Sequence, residues 1–326
     1  MIRQSFIEEL ENITGKGQVL AEEPLSRHCS FRTGGPADLM IRVGTAGQLQ
    51  AVLSLLEEEG TDHVLLGRGT NLLIGDRGYR GAVITMTDQS SRPAADVTGT
   101  DPVQSQGGGP LCRISVEGNI VTAGAGATLQ AIALTAARAG LSGLEFAAGI
   151  PGSLGGGIVM NAGAYGGEMK QVIRNVTILE KGCIRTLPAG EMEFGYRTSY
   201  MKKTDGAVLS AVMELTPADP ETVLSGIRDL ALKRREKQPL EYASAGSTFK
   251  RPQGPGLFAG RLIQDAGLRG YACGDAQVSE KHCGFVINRG GATAAQIRRV
   301  IEDVRTRVFE NSGILLEREV IYLGDF

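Results

Sequence analysis

Glycine is the feature that most narrows what this chain can build. The sequence holds 46 glycines in 326 residues, about twice the usual share of roughly 7%. They fall in short runs beside apolar segments rather than in one low-complexity tail. Glycine serves where a backbone must take a positive φ or come close to a ligand. The distribution points to a ligand held largely by main chain.

Two runs stand out. In the first, Leu65–Leu73 (LLGRGTNLL), a strand enters a tight loop of small and polar residues. Successive main-chain N–H groups in such a loop can form an anion-binding nest, and Thr70 and Asn71 add side-chain donors. Read alone, these nine residues fit an ordinary β-turn better. The second run, AGIPGSLGGG at 148–157, continues to Asn161-Ala162-Gly163-Ala164-Tyr165-Gly166 and is stiffened by Pro151. It is too apolar for a flexible linker. A helix starting near Gly152–Ser153 is expected to aim free N–H groups at a phosphate. A glycine-rich packing loop fits this run equally well.

Other chemistries are disfavoured. Gly124-Ala125-Gly126 follows a strand candidate like the start of a dinucleotide fingerprint, but Leu129 stands where the last glycine belongs and obstructs close helix–strand packing. No P-loop and no G-x-S-x-G occur. The five cysteines lie far apart and the three histidines sit in no ligand spacing, so neither a metal site nor a disulfide framework is expected. The net charge of −2 gives no overall field for nucleic acid or an anionic membrane. The first residues are mixed and charged, unlike a signal peptide, and no apolar run approaches a membrane span. The expected location is the cytoplasm, with reduced thiols.

Along the chain, periodicity predicts a helix and linker over 1–30, then β-α-β alternation: a strand at Leu39–Val43, a helix over 46–59, and strands at 63–67 and 82–86. Residues 89–110 are polar and rich in Gly, Pro and Ser, and read as a surface excursion. A strand at Asn119–Ala123 and a helix over 127–140 follow, then strands near 172–179 and 207–215. A third part is expected from about residue 218, with a helix over 221–235 ending in the basic run KRREK, a helix over 294–310 and a final strand over 314–323. That basic run could neutralise a phosphate, though such a run is usually a solvated helix end. Ser247 in AGSTFKRP reads by itself as a turn residue, and Arg197 and Glu319 as members of surface ion pairs.

Taken in order, LLGRGTNLL, GIPGSLGGGIVMNAGAYGGE, FGYRTSYMK, AGSTFKRP, AGRLIQDAGLRG, AQVSEKHCGFVIN and LEREV resemble the UDP-N-acetylenolpyruvoylglucosamine reductase family, from about Ser30 to the last residues. The chain looks closer to that family's shorter branch. The resemblance implies an α+β chain. A two-lobed FAD-binding domain of the vanillyl-alcohol-oxidase type would span 31–217 (lobes 31–86 and 111–217, joined by 87–110). A C-terminal α+β substrate-binding domain would span 218–326.

FAD would be the cofactor, NADPH the co-substrate, and UDP-N-acetylglucosamine enolpyruvate the substrate of a monomer with no nucleic-acid or membrane partner. Gly67, Arg68, Gly69, Thr70, Asn71 and Leu72, with Gly149, Ile150, Pro151, Gly152, Gly155, Gly156, Asn161, Ala162 and Gly163, would bracket the FAD pyrophosphate. Ser247 would be the proton donor, and Arg197 and Glu319 would support the charge that hydride addition creates. Lys237 would hold the substrate diphosphate, with Tyr196 and Gln264 in the substrate pocket.

Arg68 and Arg251 depart from residues common in the family, glycine and asparagine respectively. Two other readings predict different behaviour. An oxidase or dehydrogenase on the same scaffold, acting on an alcohol or sugar, would be reoxidised rapidly by oxygen. A non-catalytic nucleotide-binding module would bind without redox turnover.

Overall fold

A computed structural model describes residues 2–86 and 109–326. Most of the predicted 87–110 excursion lies outside the described residues. The chain divides into two compact units. The first comprises 1–20, 39–68 and 82–234, and the second comprises 21–38, 69–81 and 235–326.

In the first unit, helix α1 (Gln4–Thr14) packs on α2 (Ala46–Glu58). Phe6 and Leu10 of α1 meet Leu49, Val52 and Leu56 of α2, the inward face that helical periodicity selects. Thr45 caps α2 by accepting from Gln48 N at 3.1 Å. Strand His63–Leu66 runs parallel to residues 82–85, consistent with the expected β-α-β alternation.

The rest of that unit is an antiparallel sheet of five strands. Their order is Cys183–Pro188, Ile173–Glu180, Ala207–Glu214, Ile120–Gly124 and Ile114–Glu117. Helices α3 (Leu129–Arg138) and α4 (Leu154–Val159) cover it, and nearly all of α3 is buried. Its alanines let the helix lie close to its neighbours. Helix α5 (Pro220–Lys237) buries Val223 and Ile227 in the same core.

The second unit has a four-stranded sheet of Ala243–Ser244, Val286–Asn288, Ala276–Val278 and Ala272–Cys273. Helices α6 (Ala259–Asp265) and α7 (Ala294–Ser312) accompany it. α7 buries Ile297, Val300, Ile301, Val304 and Val308 and starts in a capping box of Thr293 with Gln296. The Asp76 carboxylate also accepts from Ala294 N at 2.7 Å and Ala295 N at 2.9 Å.

One expectation changes. The final strand, expected over 314–323, is confined to Ile321–Leu323. It pairs in parallel with Leu72–Ile74, and Gly75 N donates to Leu323 O at 2.9 Å. This pairing goes with the placing of residues 69–81 in the same compact unit as 235–326.

Candidate active site

The loop after strand His63–Leu66 and the glycine run at 149–157 meet inside the first unit. A Cβ added to Gly67 would stand 2.7 Å from Ser153 Oγ. The two segments are 86 positions apart, and only a missing side chain lets them touch. In the second unit, Gly69 makes a comparable approach. Its φ is 60°, and an added Cβ would lie 2.1 Å from His28 O. These are tight main-chain turns with no room for a side chain.

The helix start at 153 corrects the sequence reading. Ser153 caps α4, but the first N–H groups are already used. Leu154 N donates to Ala127 O and Gly155 N to Ala125 O, both at 2.8 Å, and Gly156 N donates to Ser153 Oγ. The N–H groups of Leu154, Gly155 and Gly156 are therefore spent within the protein. Gly155 and Gly157 of this run also allow close packing. An added Cβ at Gly155 would lie 3.2 Å from Ala125 Cβ, and one at Gly157 would lie 3.1 Å from Leu129 Cδ1. Leu129, which breaks the dinucleotide fingerprint, thus packs on a glycine of the next helix. Gly156 is exposed, and Gly149, Ile150 and Gly152 are half-buried around the exposed Pro151.

Asn161 is buried in a left-handed turn, with φ 43°. Its amide donates to Glu168 Oε2 at 2.8 Å and Gly195 O at 3.0 Å, and its oxygen accepts from Lys170 N at 2.9 Å. The side chain fixes the turn that carries Arg197. Gly195 and Thr198 close that turn with reciprocal backbone bonds of 3.1 and 3.3 Å. Arg197 also sits in the left-handed region, φ 56°, and donates from Nη1 to Gly163 O at 3.3 Å. Its Nε is buried. Ala162 and Gly163 are half-buried beside it, and the exposed Tyr196 ring lies 5.5 Å from its guanidinium carbon. The predicted residues Asn161, Gly163 and Arg197 are therefore neighbours.

The basic run at the end of α5 is not uniform. Lys233, Arg235 and Lys237 are exposed. Arg234 is half-buried against Gly149, whose missing Cβ would meet its Nη1 at 3.3 Å. Burial pushes its guanidinium below the ordinary arginine range, and the nearby Tyr165 partly opposes the shift. Sequence reading treated the run as one patch. Its one inward residue depends on a contact with Gly149 that spacing does not reveal.

In the second unit, the segments of Ser247 and Glu319 come together. Thr248 O accepts from Glu319 N at 2.9 Å, and Lys250 N donates to Glu317 O at 2.9 Å. Thr248 is fully buried and pinned by Gly284 O and Val286 N. Ser247 next to it is exposed, and Gly246 before it has φ 75°. The half-buried Glu319 is joined to the first glycine loop, because Asn71 Nδ2 donates to Glu319 O at 3.1 Å. Thr70 and Leu72, on either side of Asn71, are half-buried, as is Arg68.

Gln264 is exposed on α6 and accepts from Arg269 Nη2 at 2.5 Å. Arg251 donates to Leu257 O at 3.2 Å and lies over the Phe258 ring. No group of acidic, histidine or cysteine side chains that could hold a metal occurs among the described residues. No helix among them is long and apolar enough to cross a membrane.

Comparison with known proteins adds the chemical context. The family described as "FAD binding domain" matches residues 37–185. The family "UDP-N-acetylenolpyruvoylglucosamine reductase, C-terminal domain" matches residues 238–323. A UDP-N-acetylenolpyruvoylglucosamine reductase of Lachnoclostridium phytofermentans is 45% identical, with 98% of this chain and 97% of the relative covered. One from Agathobacter rectalis is 44% identical over the full length of both. The crystal structure of the corresponding reductase from Thermus caldophilus superposes with a TM-score of 0.74 at 31% identity, covering 94% of this chain and 98% of that one.

Proposed function

The chain belongs to the UDP-N-acetylenolpyruvoylglucosamine reductase family, and from that membership we propose that it reduces UDP-N-acetylglucosamine enolpyruvate to UDP-N-acetylmuramate with NADPH. It is an FAD-dependent oxidoreductase with an α+β fold. The chain's residues fit the cofactor. In the first unit Gly67 brings bare main chain against Ser153, backbone without a side chain is what a diphosphate can approach closely, and the Arg234 guanidinium is a positive group of the same unit.

Bound FAD, once reduced by NADPH, would supply the hydride that adds to C3 of the enolpyruvyl group. Hydride addition leaves negative charge on C2 and the carboxylate, which must be stabilised and then protonated on one face. Arg197, held over Gly163 by its turn, supplies a fixed positive charge for that anion. Ser247 donates a proton to C2. A serine hydroxyl is a weak acid, so this step needs a strongly basic carbanion beside it. Glu319 acts as an acid or a hydrogen-bond partner to the same intermediate. Lys237 contacts the substrate diphosphate, and Tyr196 and Gln264 belong to the substrate contacts. The product gains one hydride and one proton, and NADPH becomes NADP+. This reading takes the protein to be a cytoplasmic monomer.

The observation that carries the reading is the bond from Glu319 N to Thr248 O, which sets Glu319 beside the residue next to Ser247. Purified protein should be yellow and should oxidise NADPH only when the enolpyruvyl nucleotide sugar is added. A colourless preparation that FAD cannot reconstitute would rule the reading out.

A further inference from the structure

We propose that Asn71 is a positioning residue that ties the Gly67–Leu72 loop to Glu319 and fixes where the Glu319 carboxyl stands. The proposal rests on the assignment of Glu319 made above. Its basis is a set of bonds within one unit. The Asn71 amide donates to Glu319 O at 3.1 Å. The Asn71 carbonyl accepts from Ile321 N at 3.0 Å, and the strand that begins at Ile321 pairs with Leu72–Ile74. On its other side Glu319 N donates to Thr248 O at 2.9 Å, and Thr248 is itself held by Gly284 and Val286.

The peptide groups on both sides of the Glu319 side chain are therefore fixed. One is held by the neighbour of Ser247, the other by the loop assigned to the cofactor. The Asn71 amide spends one N–H on a carbonyl 248 positions away. A carboxyl whose two flanking peptides are pinned has few orientations left, and a general acid acts only when held within hydrogen-bond reach of its target. Without the amide, the Glu319 carbonyl loses a partner and the 317–321 segment gains freedom on one side.

A purely structural lock and a positioning role separate in three measurements on the full chain carrying Asn71→Ala or the near-isosteric Asn71→Asp, alone and combined with Glu319→Gln. The first is flavin content and the rate at which NADPH bleaches the flavin, taken on protein reconstituted to full occupancy, so that every later rate is compared per bound flavin. The second is reoxidation of the reduced flavin by the enolpyruvyl nucleotide sugar. It should slow about tenfold or more in the single variants, yet change less than about two-fold in the Glu319→Gln background.

The third, free of any turnover, is amide exchange. It should accelerate across 317–321 in the flavin-free protein while 284–286 keep their wild-type protection. An equal loss with and without Glu319, in rates taken per bound flavin, would overturn the proposal, as would unchanged exchange at 317–321. If wild type never reoxidises with the sugar nucleotide, the assigned activity fails instead, and the exchange measurement still decides the Asn71 clamp.

Discussion

Gly67 stands against Ser153 so closely that a single added methyl carbon would lie 2.7 Å from the serine oxygen. The loop after strand His63–Leu66 is thereby seated on the cap of α4 within the first unit. Gly67→Ala should push the two segments apart at a cost of about 1–3 kcal/mol, the usual range for overpacking. FAD titration should show weaker binding, and the flavin-free protein should melt at a lower temperature. Removing the oxygen as well, in Gly67→Ala with Ser153→Ala, should recover part of the FAD affinity. Wild-type affinity and melting in Gly67→Ala would mean the contact carries no such constraint.

Ser247→Ala should separate the two halves of the reaction. Flavin reduction by NADPH should keep its wild-type rate, while turnover falls by about 10²–10⁴, the range typical of a lost general acid. Stopped-flow absorbance of the flavin reads both steps. Turnover near wild type would remove Ser247 from the proton transfer.

Lys237 ends α5 in solvent, where a flexible ammonium can meet a diphosphate as a point charge. Losing that contact is expected to cost binding rather than chemistry. Lys237→Ala should raise KM for the nucleotide sugar about tenfold or more, as loss of a charged hydrogen bond of roughly 1.5–3 kcal/mol predicts, with kcat little changed. A fall in kcat at constant KM would place the lysine elsewhere in the cycle.

His282 predicts a pH response of stability. Burial holds its imidazole below the ordinary histidine range, and its Nδ1 accepts from Gly284 N at 3.1 Å, which requires an unprotonated nitrogen there. The unfolded chain therefore takes up this proton first. The stability it contributes is full above about pH 6.5 and is lost as pH falls below that value toward the folded pKa. Denaturant midpoints at pH 8 and pH 5.5 should differ more in wild type than in His282→Gln, whose side-chain oxygen can still accept from Gly284. Equal differences in the two proteins would show that His282 does not carry the effect.

Much of the architecture was legible because it is local. α2, α3, α5 and α7 repeat apolar residues at helical spacing, and the strands at 63–66, 120–124, 173–180 and 207–214 lie within a residue or two of their expected places. Strand Cys183–Pro188 escaped notice because it is an exposed sheet edge without apolar alternation, five of its six residues facing solvent. The final strand shrank because Glu317–Val320 spend their bonds on residues 248–250 rather than on a continuous ladder.

The glycine loops show where the boundary between sequence and structure falls. By itself the sequence pointed to tight main-chain turns near 67–72 and 149–163, with a ligand and a packing role both open for the second, and the order of its motifs pointed to the family. It could not determine which N–H groups stay available. Leu154 and Gly155 give theirs to Ala127 and Ala125, Asn161 spends its amide on Glu168 and Gly195, and Asn71 gives its own to Glu319. Glycine content is a property of composition, set residue by residue. The partner of each hydrogen bond is chosen by segments tens to hundreds of positions away, and only the folded chain brings those together.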